Sequence, residues 1–221
     1  SNGGFQVSLV EPMGRCLPLL LPEQASEAVG RGLADLGVQF HFGPLAKAVH
    51  HGDNGQLVTE LSDGSKLESD VVLSAIGLRP RISMAKEAGL DTNRGILTDK
   101  TLRTSADDIY ALGDCAEVQG HVLPYVLPLM ASARALAKTL AGDTTEVSYG
   151  VMPVTIKTPA CPVVVCPVGE ELEGDWDVEE DGNTVKALFR DREGNLRGYA
   201  LTGDAVKEKM KLNKELPALM P

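Results

Sequence analysis

The chain has no apolar run near the roughly 18 residues that a membrane-spanning helix needs, so no helical span is expected. Positive charge is scarce: 21 Lys and Arg stand against 31 Asp and Glu in 221 residues, a net charge of −10. Non-specific nucleic-acid binding depends on basic side chains that neutralise phosphates, so that class is excluded. There is no C-x-x-C. The four cysteines are Cys16, Cys115, Cys161 and Cys166, and they lack the second pair or histidines that a zinc site requires. No metal site and no redox disulfide are expected. The cysteines read as buried free thiols in a reducing cytoplasm. His41, His50, His51 and His121 are scattered, and no catalytic side chain is assigned. No G-x-G-x-x-G occurs either. Gly30-Arg31-Gly32 lies inside a helical pattern and lacks the third glycine.

What is present is ordinary for a globular protein, with 43% hydrophobic and 24% charged residues. The most informative stretch runs from Thr104 to Glu117. Ile109 to Leu112 reads as a short buried strand ending in Gly113-Asp114. Glycine lets backbone approach a ligand, and aspartate offers two acceptor oxygens, at the strand end where open α/β sheets bind ligands. Val126 to Leu140 follows as a helix, with Pro128 at its start and Gly142 at its stop.

Upstream, Phe5 to Glu11 is a strand pattern that ends in an acid. Glu23 to Leu36 is a helix, opened by Pro22 and stopped by Gly37, and Val38 to Phe42 is the next strand. Lys47 to His51, Leu57 to Leu61 and Lys66 to Asp70 alternate as an antiparallel meander with turns at Asp53-Asn54-Gly55 and Asp63-Gly64. Val71 to Gly77 reads as a buried strand ending in glycine. Ile82 to Ala88 is a short helix, and Gly95 to Asp99 and Thr101 to Thr104 are short strands. Downstream, strands are expected at Val163–Cys166, Trp176–Val178, Thr184–Arg190 and Leu196–Leu201, then a helix over Ala205–Leu216. Residues 170 to 181 hold eight acids and no base and read as a solvated loop face.

The pattern Thr104-Ser105 … Ile109-Tyr110-Ala111-Leu112-Gly113-Asp114 resembles the second flavin-binding motif of the two-dinucleotide-domain flavoprotein reductases. Ala75-Ile76-Gly77-Leu78-Arg79-Pro80 is similar to that family's A-x-G-x-x-P segment, and Ile156-Lys157-Thr158-Pro159-Ala160 to the K-T-P-A segment of its rubredoxin-reductase branch. The resemblance covers the whole chain and implies a fold that is α/β and α+β. Residues 1–81 would be the remainder of a nicotinamide-binding domain, 82–143 the remainder of an FAD-binding domain, and 144–221 a C-terminal α+β domain. It also implies the C-terminal portion of an enzyme passing electrons from NADH through FAD to rubredoxin. The glycine-rich turn that should precede Glu11 by about 20 residues would fall before residue 1, so the chain alone is expected to be inactive.

By that resemblance Asp114 and Gly113 hold the ribityl and pyrophosphate part of FAD. Leu129 and Met130 offer backbone contacts from the helix start, and Lys157 places a cation near the flavin. Glu11 takes the adenosine ribose and favours NADH over NADPH, since it would repel a 2′-phosphate. Gly77 lets the nicotinamide approach. Rubredoxins and ferredoxins are typically acidic, so docking on a chain of this charge calls for a local basic patch, for which Arg79, Arg81, Arg94 and Arg134 are candidates. Two readings compete with rubredoxin reduction. One is a related reductase with ferredoxin, nitrite reductase or oxygen as acceptor. The other is a non-catalytic module built from a degenerate reductase.

Overall fold

A computed structural model describes residues 3–169 and 171–221; Ser1, Asn2 and Glu170, on which parts of two expectations fall, lie outside the described residues. Two compact units are formed. One comprises Ser1–Ser74 with Pro153–Leu216, the other Ala75–Met152 with Pro217–Pro221.

The first unit opens with a βαβ arrangement. Strand β1 (Val7–Glu11) pairs in parallel with β2 (Val38–Phe42), from Val7↔Val38 to Glu11↔Phe42. Helix α1 (Glu23–Ala34) connects them. Pro22 is its extended N-cap, a place where a missing N–H costs nothing. Gly37, at φ 83°, takes the left-handed turn beyond its end, though the regular helix stops at Ala34, short of the expected Leu36. The meander follows as β3 (Ala46–His51), β4 (Leu57–Leu61) and β5 (Lys66–Ser69), antiparallel in that spatial order.

The expected strand at Val71–Gly77 does not form. No ladder is made there, and Val71, Leu73 and Ile76 are 78%, 86% and 95% exposed. β-branched residues set a preference, but a strand exists only where its N–H and C=O groups find a neighbour. The parallel sheet of this unit has two strands, β1 and β2, and neither pairs with this stretch.

In the second unit, α2 (Ser83–Glu87) precedes β6 (Ile96–Thr98) and β7 (Ala116–Val118), a short parallel pair. Helix α3 (Val126–Leu140) packs beside them. Leu102, Ala111, Val118, Leu136, Val147 and Tyr149 form the core, joined by Met220 from the chain end. Tyr149 and Met220 exchange backbone hydrogen bonds of 2.7 and 2.9 Å. The expected strands at Ile109–Leu112 and Thr101–Thr104 reduce to one isolated bridge, Arg103↔Tyr110. The segment is too tightly turned for a ladder, with Leu102 and Asp108 at φ 70° and 60°.

The chain then returns to the first unit with a five-stranded antiparallel sheet. Its strands are β8 (Val154–Ile156), β9 (Val163–Cys166), β10 (Gly174–Asp181), β11 (Thr184–Asp191) and β12 (Leu196–Thr202), in spatial order β10-β11-β12-β9-β8. Most of the acidic stretch is therefore the edge strand β10 and not a loop. Asp175, Asp177 and Glu179 face water while Trp176 and Val178 turn inward, and charge on an edge discourages pairing with other chains. The helix expected over Ala205–Leu216 is a 3₁₀ stretch at Gly203–Glu208 followed by α4 (Lys209–Leu212). Here contact with the sheet overrides propensity.

Val163, Val165, Val185, Ala187 and Ala200 form one face of this sheet, and Ala25, Ala28 and Val29 of α1 lie against it. Burying a valine stabilises by about 1.5–3 kcal/mol, whereas an exposed pair such as Lys66–Glu60, at 3.0 Å, contributes about 0–1 kcal/mol. The apolar seam therefore dominates. It is close because α1 offers small residues: a Cβ on Gly32 would lie 3.0 Å from Cys161 Cβ and 3.1 Å from the Ala160 carbonyl.

Gly32→Ala should therefore destabilise this unit by about 1–3 kcal/mol, read as a lower urea midpoint with unchanged slope; an unchanged midpoint would contradict the seam. The β11–β12 turn gives a pH prediction. Asp191 accepts from the Glu193 and Asn195 amides and from Arg197 Nε at 2.6 Å. Arg197 above all holds its carboxyl near 2, against an ordinary 3.8. A depressed pKa adds stability that is present above the ordinary value and lost as pH falls through the folded one. Acid titration between pH 4 and 2 should therefore be less steep in Asp191→Asn, which should also be less stable at pH 7.

Candidate functional site

The site is built from the turn after Leu112 and the start of α3, both in the second unit. Thr104 fixes the approach: its N–H and Oγ1 both donate to the Ile109 carbonyl at 2.9 Å. The Ala111 amide then bonds the Leu102 carbonyl at 3.0 Å, anchoring the strand-like segment in the core. Leu112 is extended, and at Gly113 the backbone swings to φ 82° and enters a single 3₁₀ turn, Gly113–Cys115, before β7. A Cβ on Gly113 would meet Leu129 Cδ1 at 3.0 Å. The positive φ favours glycine here, and any larger residue would also make Leu129 shift its side chain. Asp114 projects its carboxylate into solvent beside this turn.

Gly113, His121, Leu123, Pro128, Leu129 and Tyr149 are among the residues lining a small crevice here. Ser132 and Tyr149, also in the lining, share a buried hydroxyl–hydroxyl hydrogen bond of 2.9 Å. Ser132 is one helical turn beyond Pro128, so α3 presents both on one side.

α3 begins at Val126, two residues before Pro128, with extended Tyr125 as N-cap and no side-chain cap. The Leu129 amide already bonds the Tyr125 carbonyl at 3.3 Å, and the Met130 amide lies one step further inside the helical ladder. The expected backbone donors at Leu129 and Met130 are therefore committed to the helix. Leu129 keeps a place at the site through its side chain, while Met130 is 46% exposed. Pro128 has no N–H, so the first-turn amides left without a helical partner are those of Val126 and Leu127.

The other residues singled out in the sequence lie elsewhere. Glu11 is half-buried at the carboxyl end of β1, where Oε1 accepts from the Met13 amide at 2.9 Å. Lys157 is exposed just after β8. Both belong to the first unit, whereas Gly77, at φ 96° in an exposed stretch, is grouped with the second. All four cysteines are unpaired, with Cys16 and Cys161 buried and Cys115 and Cys166 half-buried. Burial raises the pKa of Cys16 and Cys161 and pushes Cys166 to about 11, so these three are not poised as thiolates. Among the described residues no three side chains group as metal ligands, and no helix is long and apolar enough to cross a membrane.

Residues 1–153 match the family model for pyridine nucleotide-disulphide oxidoreductases. The chain belongs to that family. Residues 146–216 match the rubredoxin binding C-terminal domain. The chain is 90% identical over 221 residues to a rubredoxin-NAD(+) reductase of Alcanivorax borkumensis, covering 100% of this chain and 58% of that protein. It is 46% identical over 222 residues to the corresponding protein of Acinetobacter baylyi, covering 99% and 56%. A nitric oxide reductase FlRd-NAD(+) reductase of Shigella sonnei is 36% identical, covering 98% and 57%. The chain thus spans somewhat over half the length of these relatives. Among solved structures, the ferredoxin reductase of the CYP199A2 system from Rhodopseudomonas palustris has a TM-score of 0.82 at 23% identity, covering 98% of this chain and 56% of that one. The putidaredoxin reductase in its covalent complex with putidaredoxin has 0.83 at 18%, covering 98% and 54%. These two likenesses show the mixed α/β reductase fold.

Gly113→Ala should destabilise the second unit by about 1–3 kcal/mol, in protein without added ligand. The measurement is thermal unfolding; a melting point equal to the parent's would remove the argument that this turn demands glycine.

Proposed function

We propose that these residues are the C-terminal part of an NADH-dependent, FAD-containing reductase that delivers electrons to rubredoxin. One observation carries the reading: the left-handed Gly113-Asp114 turn faces the uncapped start of α3, in a chain whose C-terminal third matches a rubredoxin-binding domain. The names of its relatives support it. In this reading residues 1–81 contribute to nicotinamide binding, 82–143 to FAD binding, and 144–221 form the acceptor-side domain.

The residues present suit a flavin. An exposed carboxylate next to the Gly113 turn and first-turn amides without a helical partner at the start of α3 would hold an anionic-edged ring and its sugar-alcohol arm lying over that turn. Asp114 would accept hydrogen bonds from ribityl or ribose hydroxyls. The Val126 and Leu127 amides, with the positive end of the α3 dipole, would stabilise negative charge at the pyrimidine edge by about 0.3–2 kcal/mol. Glu11 keeps one carboxylate oxygen for the adenosine ribose of NADH, and its charge opposes a 2′-phosphate. Gly77 would give the nicotinamide room, and Lys157 would add a cation that favours the reduced cofactor. FAD, when bound, supplies the hydride-accepting and single-electron-donating chemistry. This chain's residues bind, orient and tune it.

The test is NADH-driven reduction of rubredoxin by the FAD-loaded full-length reductase, with ferredoxin in parallel. Asp114→Ala should weaken FAD binding about tenfold, or about 1.4 kcal/mol, seen as a lower flavin-to-protein absorbance ratio after desalting. The 221-residue chain, with no G-x-G-x-x-G of its own, should retain little flavin. Stoichiometric FAD on that chain, or full retention by the Asp114→Ala enzyme, would overturn the assignment.

A further inference from the structure

The chain's charge of −10 poses a problem for an acidic electron acceptor: two acidic surfaces repel. At physiological ionic strength the Debye length is about 8 Å, so charge local to the contact outweighs the distant total. The docking surface must be a positive exception.

Such an exception lies near the end of the rubredoxin-binding match. Lys207 of the 3₁₀ stretch, Met210 and Lys211 of α4 and Lys214 of the turn that follows are all exposed. Met210 is 66% exposed, an apolar centre among cations. The acids nearby are largely occupied: Asp204 pairs with Lys207 at 2.5 Å, and Glu208 with Lys186 at 3.2 Å. Glu215 is the remaining acid of the segment, whereas Lys209, Lys211 and Lys214 have no carboxylate partner among the described residues. The underside is fixed to the sheet. Leu212 is buried, and Tyr199 donates to Asn213 Oδ1 at 2.7 Å, so the face is presented on a rigid support. In the same domain, the exposed acids of β10, Asp175, Asp177 and Glu179, would turn an acidic partner away from that strand.

We propose that the Lys207–Met210–Lys211–Lys214 face is the docking surface for the acidic redox partner, a small protein of the rubredoxin kind. The proposal rests on the reading above that rubredoxin is the acceptor. Of the arginines in the second unit, Arg79 and Arg81 lie in one irregular stretch before α2, Arg134 lies on α3, and Arg94 already donates to the Gly120 carbonyl at 2.8 Å. Two lysines without a carboxylate partner, Lys211 and Lys214, beside an exposed methionine, with Lys207 tied to Asp204 at the edge, make the better platform, because a polar rim around an apolar centre both steers and holds a partner.

The experiment uses the FAD-loaded full-length reductase with paired substitutions, Lys211→Glu with Lys214→Glu and, more mildly, Lys211→Gln with Lys214→Gln. Three quantities are read: flavin reduction by NADH in stopped flow, kcat/KM for rubredoxin at low ionic strength, and the slope of kcat/KM against salt. Reversal should lower kcat/KM for rubredoxin about tenfold and flatten the salt slope, and neutralisation roughly two- to threefold, while flavin reduction by NADH stays at the parent rate. Parent-like kcat/KM and salt slope in both variants would overturn the docking face alone, as would an equal fall in flavin reduction by NADH. A parent enzyme that cannot reduce rubredoxin would overturn the acceptor reading and this surface with it.

Discussion

The backbone at Gly113 must turn left-handed within van der Waals reach of Leu129, and the candidate site depends on that contact. A β-carbon there would press on Leu129 Cδ1 at 3.0 Å, so the turn sits against the first coil of α3 with nothing between them but the Leu129 side chain. Gly113, Pro128 and Leu129 line a small crevice there, Asp114 is exposed next to Gly113, and the first-turn amides of Val126 and Leu127 have no helical partner. The recognition elements are mostly main chain, which suits binding and orienting a cofactor that carries its own reactivity. No side chain need act as acid, base or nucleophile, in keeping with thiols that burial pushes away from ionisation.

Both units are held by buried apolar surface and not by their ion pairs. In the first, small residues of α1 let the helix lie close on a valine-rich sheet face. In the second, Tyr149 joins the helix to the chain end, bonding Ser132 through its hydroxyl and Met220 through its backbone. Met220 is 5% exposed, so the last residues complete the core beside the crevice although most of the C-terminal domain belongs to the other unit.

Elements with a complete local signature were legible in the sequence. Pro22 and Gly37 mark the limits of α1, Gly142 ends α3, and the paired turns of the meander and of β10–β12 announce hairpins. What failed needed information from distant residues. Val71–Gly77 has strand composition but makes no ladder, and Ile109–Leu112 is bent by the left-handed residues around it. The acids of residues 171–181 looked like solvated loop because alternation with Trp176 and Val178 is a weak signal beside so much charge. At the candidate site, the order of residues singled out Gly113, Asp114 and Leu129, and the structure brings Gly113 and Leu129 to one crevice. The free donors were misplaced because Pro128 occupies the third position of α3 and not its first. Ser132 and Tyr149 gave no sign, since a hydroxyl pair 17 residues apart is a tertiary fact.

A crystal structure of the FAD-loaded full-length reductase tests the central claim most directly. The account predicts the Asp114 carboxylate accepting a hydrogen bond from a ribityl or ribose hydroxyl of the cofactor, and the Val126 and Leu127 amides directed at the flavin's pyrimidine edge. A flavin bound away from the Gly113 turn, with Asp114 in solvent and the start of α3 facing no ligand, would contradict it.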